Sequence, residues 1–469
     1  MSVEDSGIVE HGPVRPARRI GSGAAGGRDL VTGRDVANGR RRPIRLAALH
    51  VAPGPPVPPA PRGPSAPAIR RVLFAAPTMA TAERLLDIAG LFAEDQRIQP
   101  VFTVPPNVLG RGTRPMLAAR GIAPLAWTQA LGEGFDLAVT ADVDSIAAFG
   151  DTVPVAFFSP GDPHAAAGLC GRVSIPLPGP VIGFTRSELL RAGRLVPAAL
   201  ALAHEQELRL VRERCPDAAG VAAVVGDPCY DRIASSAAHR VFYRAALGLR
   251  ARQKLVVVTS SWRADSLFGS GRPVMERLLG ELPAAEYRAV LLTQPEAWAA
   301  YGDEQMAAWF RRWERLGLAT VGPREDWRPY LAAADFIVGD SEAVGLYGAA
   351  AGVPVLLGAF GDGAGPTDPT TPPSPSQRSW SPPANVPRLS ADRPIISQLA
   401  YAAVRFDPAA ASESAARAGA GGFARRTRQL LYSLLGLSQP PTVAELPPAP
   451  RPSALDTLRP ATLGLGRAA

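Results

Sequence analysis

The segment from Ala334 to Gly358, ADFIVGDSEAVGLYGAAAGVPVLLG, constrains the fold of this chain more than any other. Asp335 to Val338 is a short apolar run with a β-branched core, and Gly339 to Glu342 form a polar turn behind it. Ala343 to Ala351 has helical length and small side chains, and Gly352 stands where a helix C-cap belongs. Val353 to Leu357 is a second apolar run. Strand, turn, helix and strand make one βαβ unit of a parallel sheet. The Ala/Gly surface of the helix lets it lie close against that sheet. The turn sits at the helix N-terminus, where free N–H groups and the dipole favour a phosphate or carboxylate. Asp340 or Ser341 can equally act as a helix cap and nothing more.

The same alternation runs through most of the chain. Arg71 opens a strand, RVLFAAPTM, and Thr81 to Asp95 carries Leu85, Leu86, Ile88, Ala89, Leu91 and Phe92 at helical spacing. Gln99–Val104, Phe135–Thr140, Val153–Phe158 and Val181–Phe184 read as further strands, with a helical region from Ser187 to about Arg214 and a closing strand at Ala222–Val225. A second series follows: helix at Arg240–Leu249, strand at Leu255–Thr259, helix at Pro273–Leu282, strand at Tyr287–Thr293, one long helix at Glu296–Leu316 and strand at Leu318–Val321. The expected fold is therefore α/β, with two tandem doubly wound Rossmann-like domains in a GT-B-like arrangement. The expected domains are 69–234 and 235–437, the second interrupted by a Pro/Ser/Thr-rich insertion at 361–393. Residues 1–68 read as a disordered Arg/Pro/Gly-rich arm, and 438–469 as a disordered Pro-rich tail.

At 469 residues, 46% of them hydrophobic, the chain can bury two cores. Its net charge of +8 points to nucleic acid until it is located: six of those charges fall in residues 1–70. The folded part is near neutral, so no nucleic-acid partner is expected. An arginine-rich arm can touch anionic lipid, which leaves peripheral association at the inner face of the membrane open. Lys254 is the only lysine, so arginine replaces lysine throughout, as codon bias in a GC-rich genome would produce. No apolar run approaches the ~18 residues of a membrane span, and no secretory signal is present, so a cytoplasmic location is expected. Cys170, Cys215 and Cys229 have no paired spacing and few histidines nearby, so neither a metal site nor a cofactor is expected.

Three turns in the second half carry chemistry. VVGDPCYD, Val224 to Asp231, places Gly226 and Asp227 at the domain junction. VVVTSSWR, Val256 to Arg263, runs a strand into the hydroxyls of Ser260 and Ser261 and the guanidinium of Arg263, which can clamp a phosphate. The third is the turn of Asp340, Ser341 and Glu342. With these residues the chain resembles the CDP-glycerol glycerophosphotransferases and, more distantly, the UDP-N-acetylglucosamine 2-epimerases. Gly226, Asp227, Pro228 and Asp231 stand where the former have a Gly-Asn-Pro then Asp signature. Thr259 to Arg263 match an Ala-Pro-Thr-Trp-Arg-like strand end. Asp340, Val344, Pro354 and Val355 fall at the spacing of Thr-Asp-Tyr-Ser-Ser and its Pro-Val strand. Asp340, Ser341 and Val344 echo the Asp-Ser-Gly-Gly-Val of the epimerases. The resemblance spans roughly Arg71 to Gly358 and implies that Gly226, Ser260, Ser261, Arg263, Asp340, Ser341 and Glu342 bind a CDP- or UDP-linked sugar or polyol.

The chain also departs from that pattern. Glycerophosphotransferases have a His-Gly pair after an N-domain strand, where this chain reads Ser159, Pro160, Gly161, Asp162, Pro163 and His164. Their paired serines become Glu342 and Ala343 here. A transferase needs a base for the acceptor hydroxyl, and His164 or Asp162 can serve if their turn faces the cleft. The leading expectation is a GT-B-type glycosyl or polyol-phosphate transferase acting on a cell-envelope polymer or glycoconjugate. The alternatives are a sugar-nucleotide epimerase and a degenerate GT-B module that binds without catalysis.

Overall fold

The computed structural model describes residues 31–34, 41–44, 69–149, 153–160, 184–260, 267, 272–339, 347–349, 351–358, 386–409 and 421–458. The chain divides into two units, Met1–Pro64 and Ser65–Ala469. In the first, β1 (Val31–Arg34) pairs antiparallel with β2 (Arg41–Ile44).

The second unit holds two parallel sheets. Its N-terminal half contributes β3 (Arg70–Ala75), β4 (Ile98–Thr103), β5 (Leu137–Thr140) and β6 (Val155–Phe158). A two-residue hairpin, β7 (Leu190–Arg191) and β8 (Arg194–Leu195), precedes β9 (Pro197–Leu202) and β10 (Ala222–Val224). The sheet order is β10-β9-β6-β5-β3-β4. The C-terminal half contributes β11 (Lys254–Ser260), β12 (Tyr287–Thr293), β13 (Leu318–Thr320), β14 (Phe336–Gly339) and β15 (Val355–Leu357), in the order β13-β12-β11-β14-β15. Every ladder in both sheets is parallel. These are two Rossmann-like domains.

Helices cover both faces of each sheet, which is why the strands read as unbroken apolar runs. Val72 and Phe74 pack into one N-half core, while Leu73 and Ala75 pack into the core on the opposite face. Leu255 and Val257 part from Val256 and Val258 in the same way in the C-half. Trp298 and Trp313 belong to the second of those C-half cores, with Trp309 packed against it. The βαβ helix does lie close on the sheet: a Cβ added at Gly348 would meet Ile337 Cδ1 at 1.9 Å.

The structure corrects several expectations from the sequence. Pro197–Leu202, inside the region expected to be helical, is a buried strand paired to β6 and β10. Its Ala/Leu composition favours helix locally, and the slot between two strands overrides it. The long helix expected from Glu296 to Leu316 is two, Pro295–Tyr301 and Asp303–Arg315, broken at Gly302 with φ +83°. Arg388, inside the expected insertion, bridges Leu357, and Leu389 beside it is buried. Near the C-terminus, Phe423–Leu435 is a helix. That helix returns to the N-half, where Tyr432 donates to Asp95 at 2.7 Å. Residues 439–458, expected to be tail, run on as an irregular strap that ends in a short 3-10 turn at Leu455–Thr457. Leu446 enters an N-half core, and Ala449, Leu455 and Leu458 enter a C-half core. The Val181–Phe184 strand falls almost wholly outside the described residues. Among the described residues no helix is long and apolar enough to cross a membrane.

Candidate functional site

In open parallel sheets, ligands bind beyond the carboxyl ends of the strands. On the N-half, that edge brings together Ser159 after β6, His204 after β9 and Gly226 after β10. Ser159 N–H donates to Ala201 O at 2.8 Å, and Gly226 N–H donates to Leu202 O at 3.2 Å. Gly226 has φ +97°, a conformation that a side chain would strain, so the chain can turn sharply here into Asp227. On the C-half, β11 lies beside β14 with Thr259 opposite Gly339. The two strands that lead into the expected phosphate-binding turns thus end side by side, at Ser260 and Gly339. The approach is tight: a Cβ on Gly339 would meet Thr259 Oγ1 at 2.0 Å and its carbonyl oxygen at 2.5 Å.

Of the residues named from sequence, the structure describes Gly226, at the junction, and Ser260, buried at the end of β11. Asp162, His164, Ser261, Arg263, Asp340, Ser341 and Glu342 lie outside the described residues. Asp227 caps the helix Pro228–Ala237, accepting from Cys229 N–H at 2.8 Å. Asp231 accepts from the N–H groups of Gly421 and Phe423, each at 2.7 Å, and so anchors the returning C-terminal helix.

The two halves meet in a buried charged seam that the sequence did not reveal. The helix Met79–Gly90, which follows β3, supplies Glu83, Arg84 and Asp87. Asp87 Oδ2 accepts from Arg328 Nη2 at 2.9 Å, and its Oδ1 accepts from Arg232. Arg328 also holds Asp326 at 3.1 Å. Arg84 Nη2 donates to Pro160 O at 2.5 Å and to Asp227 Oδ1 at 3.2 Å. The other Asp227 oxygen accepts from Tyr347 Oη at 2.6 Å. Three guanidinium groups therefore face three aspartates, and Glu83 is the additional acid. Burial pushes the Glu83 carboxyl up to about 8, against an opposing pull from Arg328. Burial favours its neutral form, which leaves the three guanidinium groups facing the three aspartates. Burial also pushes the Cys229 thiol up to about 12, which makes it a poor nucleophile. The available signal was a helix carrying Glu83, Arg84 and Asp87 among apolar residues.

A second buried cluster lies at the N-half edge. Ser159 Oγ donates to Glu207 Oε1, and Ala203 N–H donates to Glu207 Oε2 at 2.7 Å. His204 Nδ1 accepts from Glu207 N–H at 3.3 Å as the cap of the helix Glu205–Arg214. This fixes the proton on Nε2, which lies 4.0 Å from Glu207 Oε1 and has no hydrogen-bond partner among the described residues. Among the described residues no cluster of His, Cys, Asp or Glu could hold a metal ion.

No protein-family model matches the chain, and no curated protein does. Solved structures do match its fold. A variant of the wall teichoic acid polymerase TagF, soaked with CDPG, superposes with a TM-score of 0.52 at 12% identity, over 79% of this chain and 90% of that one. A UDP-GlcNAc 2-epimerase from Neisseria meningitidis, bound to UDP-GlcNAc, gives a TM-score of 0.48 at 13% identity over 77% and 100%. A glycosyltransferase from Rickettsia africae gives 0.44 at 9% identity over 79% and 100%. The architecture is that of GT-B-like proteins.

Proposed function

We propose that this chain is a GT-B-type transferase that moves a glycosyl or polyol-phosphate group from a CDP- or UDP-linked donor to a hydroxyl acceptor. The observation that carries this reading is the adjacency of Ser260 and Gly339 at the carboxyl edge of the C-half sheet. The similarity in fold to a polymerase soaked with CDPG supports it. In this reading residues 235–437 bind the donor and residues 69–234 receive the acceptor. Ser260, Ser261 and Arg263 meet the phosphates, while Asp340, Ser341 and Glu342 line the turn beside them. As the bond to the donor breaks, negative charge gathers on the leaving nucleotide, and the Arg263 guanidinium stabilises it. Asp162 or His164 takes the proton from the acceptor hydroxyl as that oxygen attacks. A cell-envelope polymer or glycoconjugate is the acceptor in this reading.

The second reading is a GT-B module that binds without turnover. The position of His164, out of register with the His-Gly pair of the glycerophosphotransferases, favours it. Thermal-shift titration with CDP, UDP and GDP tests the nucleotide site, because a ligand that binds only the native state raises Tm. Product analysis with a CDP- or UDP-linked donor then separates the readings. Transfer needs an acceptor and releases nucleotide, epimerisation needs no acceptor, and the binding module yields neither product.

A further inference from the structure

Between Asp231 and Asp265 the chain carries no acid, while residues 232–254 hold five arginines and Lys254. The helix Arg240–Ala246 lies inside that run, and two of its faces are fixed. Tyr243 and the cap residue Leu247 are buried, with Tyr243 Oη donating to Ala449 O at 2.7 Å and Leu247 O accepting from Leu455 N–H at 3.2 Å. Arg240 and Arg244 each hold a carboxylate oxygen of Asp335 at 2.7 Å. The remaining face meets solvent: Val241 is 82% exposed, Phe242 is 51% exposed, and Ala245 is exposed one turn beyond Val241.

The cations that follow this helix are not used up inside the fold. Arg250 and Arg252 are exposed, and neither is in an ion pair among the described residues. Their turn is tied to the helix, because Arg244 Nη2 donates to Gln253 O at 2.5 Å and Gln253 N–H donates to Arg250 O at 3.0 Å. Lys254 comes next, exposed and 5.6 Å from the centre of the Tyr287 ring. An exposed acid, Glu286, joins this edge through its carbonyl, which accepts from Lys254 N–H at 2.7 Å. Its one carboxylate leaves the three cations in excess.

We propose that Val241, Phe242, Arg250 and Arg252 form a surface that docks this chain on an anionic lipid bilayer. Lipid phosphates lie beside an apolar interior, so exposed valine and phenylalanine flanked by free arginines match both layers. Val241 disfavours a nucleic acid, since bases stack on aromatic planes and a branched aliphatic side chain offers none. Two apolar side chains also fall far short of the ~800 Å² per partner that a stable protein interface buries. With its other faces pinned, the helix presents the apolar pair without a costly ordering step. Lipid docking here needs no nucleotide, so it holds or fails apart from the proposed function.

The experiment floats the full chain with vesicles of equal parts phosphatidylglycerol and phosphatidylcholine, and with vesicles of phosphatidylcholine alone, at low salt. Wild type should rise with the anionic vesicles and stay behind with the neutral ones. Val241→Ser/Phe242→Ser should lower the partition coefficient at least about tenfold. Arg250→Gln/Arg252→Gln should lower it by about twentyfold, roughly fivefold for each charge. Ile396→Ser/Val404→Ser, which removes another pair of exposed apolar side chains, should leave it unchanged. Thermal melts of the arginine variant should match wild type, because both side chains stand in solvent. Wild type that floats with neither vesicle would overturn the proposal. So would valine–phenylalanine and arginine variants that float as well as wild type, which would move the contact to another part of the chain. Single-stranded RNA that displaces the vesicles, and binds wild type and Val241→Ser/Phe242→Ser equally, would make this a surface for polyanions and overturn lipid docking.

Discussion

Asp87 and Arg328 meet at 2.9 Å across the seam between the two halves, with side chains only 2% and 3% exposed. Each would be costly to bury alone, and the pair is held in place by Arg232 and Asp326. Arg328→Met leaves Asp87 and Asp326 with a diminished cationic partner set in a dry environment. It should lower unfolding stability by about 3–5 kcal/mol, the usual cost of removing one partner from a buried pair. Replacing Asp87 and Arg328 together with apolar residues should recover much of that loss. Urea denaturation of the three proteins checks this, and a double variant no more stable than Arg328→Met would refute it.

Glu83 makes the stability of the seam depend on pH. Its folded value of about 8 lies above the ordinary 4.5 of an unfolded glutamate, so between those pH values the folded chain holds a proton that the unfolded chain has released. The unfolded state then binds fewer protons, and stability falls as pH rises from about 4.5 to 8 and levels off above. Each unit of separation is worth about 1.4 kcal/mol, which sets an upper bound of about 5 kcal/mol for the whole decline. Glu83→Gln should flatten that part of the profile and make the protein more stable than wild type at pH values above about 8. Denaturation midpoints at several pH values test it, and parallel profiles for the two proteins would count against the assignment.

Two glycines should respond in opposite senses to the same substitution. Gly339→Ala would drive a Cβ into the Thr259 hydroxyl and carbonyl oxygen, at 2.0 and 2.5 Å, and the backbone there cannot swing away. The strand must shift, at a cost of about 1–3 kcal/mol or more. At Gly90, which ends the helix Met79–Gly90, a Cβ meets nothing within 4 Å. Gly90→Ala should be neutral or stabilise by up to about 1 kcal/mol, through helix propensity and a less flexible unfolded chain. Thermal melts of the two variants give the comparison, and a destabilised Gly90→Ala would show that the space there is not free.

The parallel sheets were legible because buried strands leave unbroken β-branched runs such as Leu255 to Thr259, and glycines mark where they stop. Pro197–Leu202 was not, since alanine and leucine carry no strand signal and only the neighbouring strands hold the segment extended. The strap at 439–458 was missed for a related reason. Leu446, Ala449, Leu455 and Leu458 anchor an irregular proline-rich chain at spacings with neither helical nor strand period. The seam lay beyond any local pattern, because Asp87 and Arg328 are 241 residues apart and each looks like a surface charge on its own helix. The positions of Gly226 and Ser260 at the ends of their strands were legible from the turns that follow. His204 was not, because a histidine at a helix cap stands out only once the fold shows it buried beside Glu207.

The nucleotide site can be tested at Arg263. β11 and β14 are hydrogen-bonded neighbours that end at Ser260 and Gly339, so the segments continuing from them start from adjacent points of one sheet edge. In the proposed function Arg263 meets the donor phosphates beside the turn of Asp340, Ser341 and Glu342. A hydrogen bond to a charged group contributes roughly 1.5–3 kcal/mol, or about tenfold to over a hundredfold in affinity. Arg263→Ala should therefore weaken UDP or CDP binding by that order while the melting temperature of the unliganded protein stays near that of wild type. Arg263→Lys should recover only part, because it keeps the charge and loses the two-pronged geometry. Calorimetric titration of the three proteins measures both effects. Equal nucleotide affinity in wild type and Arg263→Ala would remove this arginine from the site and leave the phosphates to the backbone N–H groups of the turn.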